Sequence, residues 1–200
     1  MKAPYLEYRQ TMPEIFYAET READMVRDVN DIKDEVLKQQ VRELMNRMLT
    51  APKAKGLDDV RVIYVDGEDI LRLAAFMKEW GGKNNRQGFI RDSANAEKAA
   101  AIVVLGAKKV FMNLDCAMCG AKNCQEAQSK DINCIFPVCD MGIAVGSGVS
   151  LAMEMGLDNR VMYSIGLAAV KTGLFNDPAI RVAMGVPFSV ASKNIFFDRK

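Results

Sequence analysis

Ala101-Ile-Val-Val-Leu-Gly106 is a short apolar run rich in β-branched residues, and it reads as a strand buried within the core. Upstream of it, Ser93 to Ala100 predicts a short helix, and residues 83–92 predict a polar loop. Before that loop, Glu68 to Trp80 predicts a helix stopped by Gly81-Gly82. Val60-Arg-Val-Ile-Tyr-Val65 predicts a strand turned by Asp66-Gly67. Further back, Met25, Val29, Ile32, Val36, Val41, Leu44, Met45 and Met48 recur at near-helical spacing. They predict one long amphipathic helix, or two broken near Asn30–Asp31, with Thr20 as N-cap and the stripe buried on the sheet or a second subunit. It ends at Ala51-Pro52, because the residue before a proline disfavours the helical region. Residues 1–19 carry two prolines and read as an arm.

Downstream, residues 107–139 read as an irregular loop that holds every cysteine. Asp140 is the expected cap of a small-residue helix, Gly142 to Met155. A further helix covers Arg160 to Thr172, and Arg181-Val-Ala-Met-Gly-Val186 is a last strand. Interspersed strands and helices predict an α+β (mixed α/β) fold, with residues 20–200 as a single domain. Strands 60–65, 101–106 and 181–186 are expected in one sheet flanked by helices.

Two hundred residues with 27 Lys and Arg against 26 Asp and Glu carry a net charge of +1. No overall field draws such a chain to nucleic acid or an anionic membrane. No signal-peptide core or run of 18 uninterrupted apolar residues is present, so a cytoplasmic location is expected. The sequence contains no histidine. That excludes Ser-His-Asp and Cys-His catalysis, His-ligated zinc and His-ligated haem.

The five cysteines all fall between Cys116 and Cys139, in DCAMCGAKNCQEAQSKDINCIFPVCD. In a cytoplasmic chain such packing points to metal binding or redox chemistry rather than a disulfide framework. Cys116-x2-Cys119-Gly-x3-Cys124 suits an iron–sulfur cubane, in which each iron corner needs one thiolate. Cys116 and Cys119 can reach adjacent corners from one turn, and Gly120 lets the backbone bend close. Backbone N–H groups of such a turn can face the cluster's negative charge. A zinc site with four thiolates and a thiol/disulfide pair are the competing readings. The fourth ligand lies between Cys134 and Cys139, which spacing alone barely ranks. The dipole of the coming helix favours a thiolate at Cys139.

These residues resemble a family of bacterial and archaeal "ferredoxin domain-containing" proteins. The resemblance rests on DCAMCGAKNC, CIFPVCDMGIAVGSGVSLA, DNRVMYSIGLAAVKTGL and GVPFSVASKNIFFDRK, and extends weakly back to TAPKAKGLDDVRVIYVDGEDILRL, about residues 50–200. It implies a [4Fe-4S] cluster held by Cys116, Cys119, Cys124 and Cys134, since an apolar residue is usual in the family where Cys139 stands. A fainter resemblance, carried by MLTAPKAKGLDDVRVIYVDGED and MGIAVGSGVSLAMEMGLDNR, is to the nitroreductase-like flavoproteins. It implies a shared scaffold, with FMN as an alternative cofactor. Pro52-Lys53-Ala54-Lys55-Gly56 stands where those proteins carry a basic Arg-Arg-Ser type entry, so the resemblance implies a flavin site altered or lost. Lys53, Lys55 and Arg61 around Gly56 read as a solvated edge, with a phosphate site as the alternative and Lys53 and Lys55 as the candidates for a flavin or phosphate.

Other features read more plainly. Gly142, Gly146 and Gly148 lack the G-x-G-x-x-G order and read as a helix face packing close to another backbone. The adjacent aromatics Phe196 and Phe197 should dock on the core or on a partner subunit. A homodimer is expected. The leading function is one-electron redox exchange with a partner protein or a nearby small-molecule substrate. The alternatives are a flavin-containing oxidoreductase and a ligand-binding domain with a structural cluster. No acid–base pair or nucleophile constellation is legible, so no catalytic residue is assigned.

Overall fold

The structure, a computed structural model, describes residues 27–197. The sheet and the helices packed on it lie in one compact unit, Lys33–Lys200. The expected arm 1–19, the Thr20 cap and Met25 lie outside the described residues.

In chain order the elements are α1 (Val29–Leu49), a 3-10 turn (Ala54–Gly56), β1 (Val60–Val65), α2 (Glu68–Lys83), α3 (Gln87–Glu97), β2 (Ala101–Lys108), α4 (Cys124–Ser129), α5 (Ile135–Glu154), β3 (Asp158–Asn159), α6 (Tyr163–Lys171) and β4 (Ile180–Ser189). The fold is α+β, with one antiparallel sheet in the order β1-β2-β4-β3. The three predicted strands all belong to it.

β2 is central, and its two-residue period builds the domain. Ala101, Val103, Leu105 and Ala107 enter a core formed with α1 and α5. Ile102 and Val104 enter a second core on the opposite face, with α2, α3 and α6. Both faces are covered, which is why the run is apolar throughout rather than alternating.

α6 lies unusually close to β4. A Cβ at Gly166 would stand 1.9 Å from the Ala183 carbonyl oxygen, and one at Gly185 would stand 2.1 Å from the Ile165 side chain. Met162 and Gly185 exchange backbone hydrogen bonds at 2.8 and 3.0 Å, so the start of α6 is bonded to the sheet.

Several predicted boundaries move. α2 runs through Gly81-Gly82 to Lys83. Gly81 serves close approach instead: a Cβ there would lie 2.8 Å from that of Phe89. The expected polar loop and short helix are replaced by α3, whose buried face includes Phe89, Asp92, Ser93 and Ala96. Polar residues on that face hid the helix, and they are buried because they are paired. Ser164 Oγ donates to Asp92 Oδ2 at 2.6 Å, and Arg91 donates to Asp92 Oδ1 at 2.8 and 3.0 Å.

In α1 the buried positions are Leu37, Val41, Leu44 and Met48, whereas Val29 and Val36, both expected in the stripe, are exposed. The aromatic tail splits. Phe196 is 1% exposed in the second core, while Phe197 lies outside under the Arg160 guanidinium, 5.2 Å from its ring centre.

α5 starts at Ile135 rather than Gly142. It is long and apolar enough by length and composition to cross a membrane, yet 39% of its most apolar window is buried. Met141, Ala144, Val145 and Ala152 of α5 pack in the core shared with α1. Of its three glycines, only Gly148 is a close-approach site, and what it meets is the Met48 side chain rather than backbone. Gly146 is exposed, and a Cβ added there would have nothing within 4 Å. Gly146→Ala should therefore stabilise the fold by about 0.5–1 kcal/mol, since glycine in a helix interior carries that cost. A urea melt reads it, and a lower midpoint would contradict the open environment.

On β1, Tyr64 donates to Asp66 Oδ2 at 3.1 Å. Burial, then this hydrogen bond and the Asp66 charge, push its phenol up from 10.0 to about 12, with Arg42 opposing. The unfolded chain gives up this proton first as pH rises. The stability Tyr64 contributes is therefore whole below pH 10 and is lost as pH climbs through about 12. In an ultraviolet titration of tyrosinate, Tyr64→Phe should remove the step at highest pH. Removal of a lower step instead would refute the assignment.

Candidate metal and redox site

The cysteine segment leaves the sheet at Lys108 and returns to it through α5. Its backbone is unusual before any metal is considered. Asn113, Asp115, Ala117 and Gly120 have φ of 51°, 46°, 59° and 87°. The three non-glycine residues each cost about 1 kcal/mol or more in this region. Such alternation is the kind of backbone in which successive N–H groups can face one side. Gly120 has nothing within 4 Å of a Cβ, so φ rather than space requires glycine there.

Four tethers hold the segment. Cys124 N–H donates to Asp115 Oδ1 at 2.7 Å, closing the turn that carries Cys116 and Cys119. Asn123 caps α4 by accepting from Glu126 N–H at 2.8 Å, while Glu126 accepts from Lys122 N–H in return. The hydrogen bond from Lys130 holds the Glu126 carboxyl below the usual range. Asp131, itself left-handed at φ 55°, is gripped by Lys109 and by Arg181, the latter at 3.0 Å. This ion-pair cluster ties the end of the segment to β2 and β4. Lys55 Nζ donates to the Met112 carbonyl at 3.4 Å.

All five thiols are free. Cys116 is exposed, Cys119 and Cys124 are half-buried, and Cys124 opens α4. Cys134 is 8% exposed and is the N-cap residue of α5, whereas Cys139 is exposed in its second turn. Asp140 is not a cap. It is buried within α5 and accepts from Ala54 N–H at 2.9 Å, joining α5 to the 52–56 loop. Among the described residues, no three Cys, Asp or Glu side chains stand close enough to share a metal ion. The donor chemistry suits a thiolate-bound cluster, but the thiols as placed do not form a closed cage.

The two lysines are occupied locally. Lys53 Nζ donates to the Leu49 and Ala51 carbonyls at the end of α1, and Lys55 reaches Met112. Sequence reasoning missed Asp115, Asp131 and Asp140 as positioning residues. It also missed α4, although Asn123-x-x-Glu126 is a capping-box pattern that could have located it.

The chain is 37% identical over 184 residues to an uncharacterized protein of Archaeoglobus fulgidus, a match covering 88% of this chain and 98% of that one. The family described as "Uncharacterized protein containing a ferredoxin domain (DUF2148)" matches residues 130–199. The chain belongs to this ferredoxin-domain family. The matched stretch includes Cys134 and Cys139 and begins after the CxxCGxxxC turn.

The fold of this ferredoxin-domain protein is nitroreductase-like. It is similar to a putative nitroreductase in complex with FMN from Desulfovibrio desulfuricans, with a TM-score of 0.53 at 15% identity, covering 100% of this chain and 93% of that one. It is similar to nitroreductase A of Vibrio parahaemolyticus, with a TM-score of 0.52 at 17% identity over 78% of this chain. The NADPH:FMN oxidoreductase of Vibrio harveyi gives 0.52 at 16% identity, covering 82% of this chain and 70% of that one. The chain spans 60% of the length of nitroreductase A. At these identities the likeness is one of fold.

Proposed function

We propose that this protein is an iron–sulfur redox protein in which Cys116, Cys119, Cys124 and Cys134 hold a [4Fe-4S] cluster. The observation that carries the reading is four free thiols on one segment, three around a strained turn and the fourth at a helix N-cap. Membership of a family described as containing a ferredoxin domain supports it. When bound, such a group supplies one-electron transfer. The chain's own residues hold the segment in place: Asp115 fixes Cys124 to the turn, and the Lys109–Asp131–Arg181 cluster fixes the approach to Cys134. Leu114 and Met118 are exposed beside the thiols, at 49% and 64%. Such an apolar rim suits a transient redox partner protein, with a small-molecule substrate as the other acceptor. A homodimer is part of the same proposal, and light scattering reads it.

Purification without oxygen, with iron, sulfide, zinc and flavin assayed together, tests the reading. The protein should be brown, with about four irons and four sulfides per chain. Stoichiometric zinc without sulfide would refute it. An EPR signal that appears on reduction and vanishes on reoxidation separates a redox cluster from a purely structural one.

A second reading, an FMN-containing oxidoreductase, is favoured by the fold alone. Its support is the full-length likeness to a putative nitroreductase whose structure is described as in complex with FMN. Lys53 and Lys55 would have to release their carbonyl partners to meet a phosphate. A stoichiometric flavin absorbance would establish this reading.

A further inference from the structure

The outer edge of β1 has no strand beside it among the described residues. Between that edge and α1 lies a groove of about 530 Å³. This is within the range of small-molecule sites. Met45, Leu49, Val60 and Val62 give it an apolar lining, and Tyr64 adds an aromatic ring. No lining residue belongs to the cysteine segment, so the groove is independent of the redox reading.

Its polar groups are arranged unequally. Arg42 on α1 and Arg61 on β1 bring guanidinium groups from the two walls, against one carboxylate, Asp58. Neither arginine makes an ion pair among the described residues. The neighbouring carboxylate Asp66 is already engaged by Tyr64 and by Lys38, the latter at 3.5 Å. Arg42 stacks 5.0 Å from the centre of the Tyr64 ring, which holds its planar fork against the groove wall. Asn46 adds an amide, and the free edge of β1 adds backbone donors and acceptors. Cationic forks flanking an apolar lining match a molecule with one anionic end and an apolar body.

We propose that this groove binds a small amphipathic anion, an aryl or acyl group carrying one carboxylate or phosphate. The anion sits between Arg42 and Arg61, and the apolar body lies over Met45, Val62 and Leu49.

Calorimetric titration of the full chain with 2-naphthoate, 2-naphthyl phosphate and neutral 2-naphthamide tests this. At least one anion should saturate a single site per chain, and the two anions distinguish carboxylate from phosphate. The amide should bind about tenfold more weakly or worse, as loss of a charged hydrogen bond predicts. Arg61→Glu should weaken the anion by a similar factor. So should Arg42→Gln, while Arg72→Gln on α2 should leave the affinity unchanged. Arg42 and Arg61 are exposed, and thermal melts of both variants should match the parent. Failure of both anions to saturate, equal binding of the amide, or unchanged affinity in Arg61→Glu would overturn the proposal. Affinity that falls as protein concentration rises would assign the groove to a second copy of the chain and would equally overturn it.

Discussion

Cys134→Ala protein purified without oxygen should lose its cluster or hold a depleted one, while Cys139→Ala keeps about four irons and four sulfides per chain. The two thiols occupy different places on α5. Cys134 is the nearly buried N-cap residue, and Cys139 lies five residues on, exposed. At 3.6 residues per turn, five positions carry a side chain about 140° around the axis. The two therefore cannot serve as equivalent ligands from one helix position. The helix dipole strengthens the choice. It favours a thiolate at the N-terminus, which is at Cys134 because α5 begins at Ile135. Cys116→Ala and Cys119→Ala should remove the cluster outright. Full iron and sulfide in Cys134→Ala together with loss in Cys139→Ala would reverse the ligand set.

Gly166→Ala should cost the fold about 3 kcal/mol or more, the largest effect expected of any single methyl group here. Its Cβ would meet the Ala183 carbonyl oxygen at 1.9 Å, the carbonyl carbon at 2.2 Å and the Met184 nitrogen at 2.6 Å. The obstacle is backbone. β4 is bonded to β2 on one side and β3 on the other, so it cannot retreat without breaking ladders. α6 is fixed at its start by the Met162–Gly185 bonds and by Ser164 to Asp92, so it cannot lift away cheaply. A Tm lower by about 10 °C, or loss of soluble protein, is expected. Gly185→Ala should act the same way through Ile165. A Gly166→Ala midpoint within the error of the parent would show that the layers can separate.

Much of the site and fold was legible in the chain itself. The apolar run at 101–106, the β-branched run at 60–65 and the late strand at 181–186 located three of the four strands, because strand composition and length are local properties. The clustering of all cysteines between 116 and 139 marked the candidate site, and Gly120 marked its turn, because side-chain chemistry and a positive φ are properties of single positions.

What depended on distant contacts was not legible. α3 has polar Asp92 and Ser93 on its buried face, and burial of the Asp92 carboxylate depends on Ser164, 72 residues further along the chain. Asp140 resembles a helix cap, yet its partner is Ala54 N–H in the 52–56 loop, so the true start of α5 at Ile135 was hidden. β3 is two residues long and exists because β4 lies beside it. Local residue chemistry and spacing were enough to say which residues could ligate a metal and which runs could enter a sheet. Which cysteine opens a helix, which glycines are pressed against backbone, and that two arginines face one groove emerged only on folding. Those facts are set by the packing of elements far apart in the chain, and no local pattern carries them.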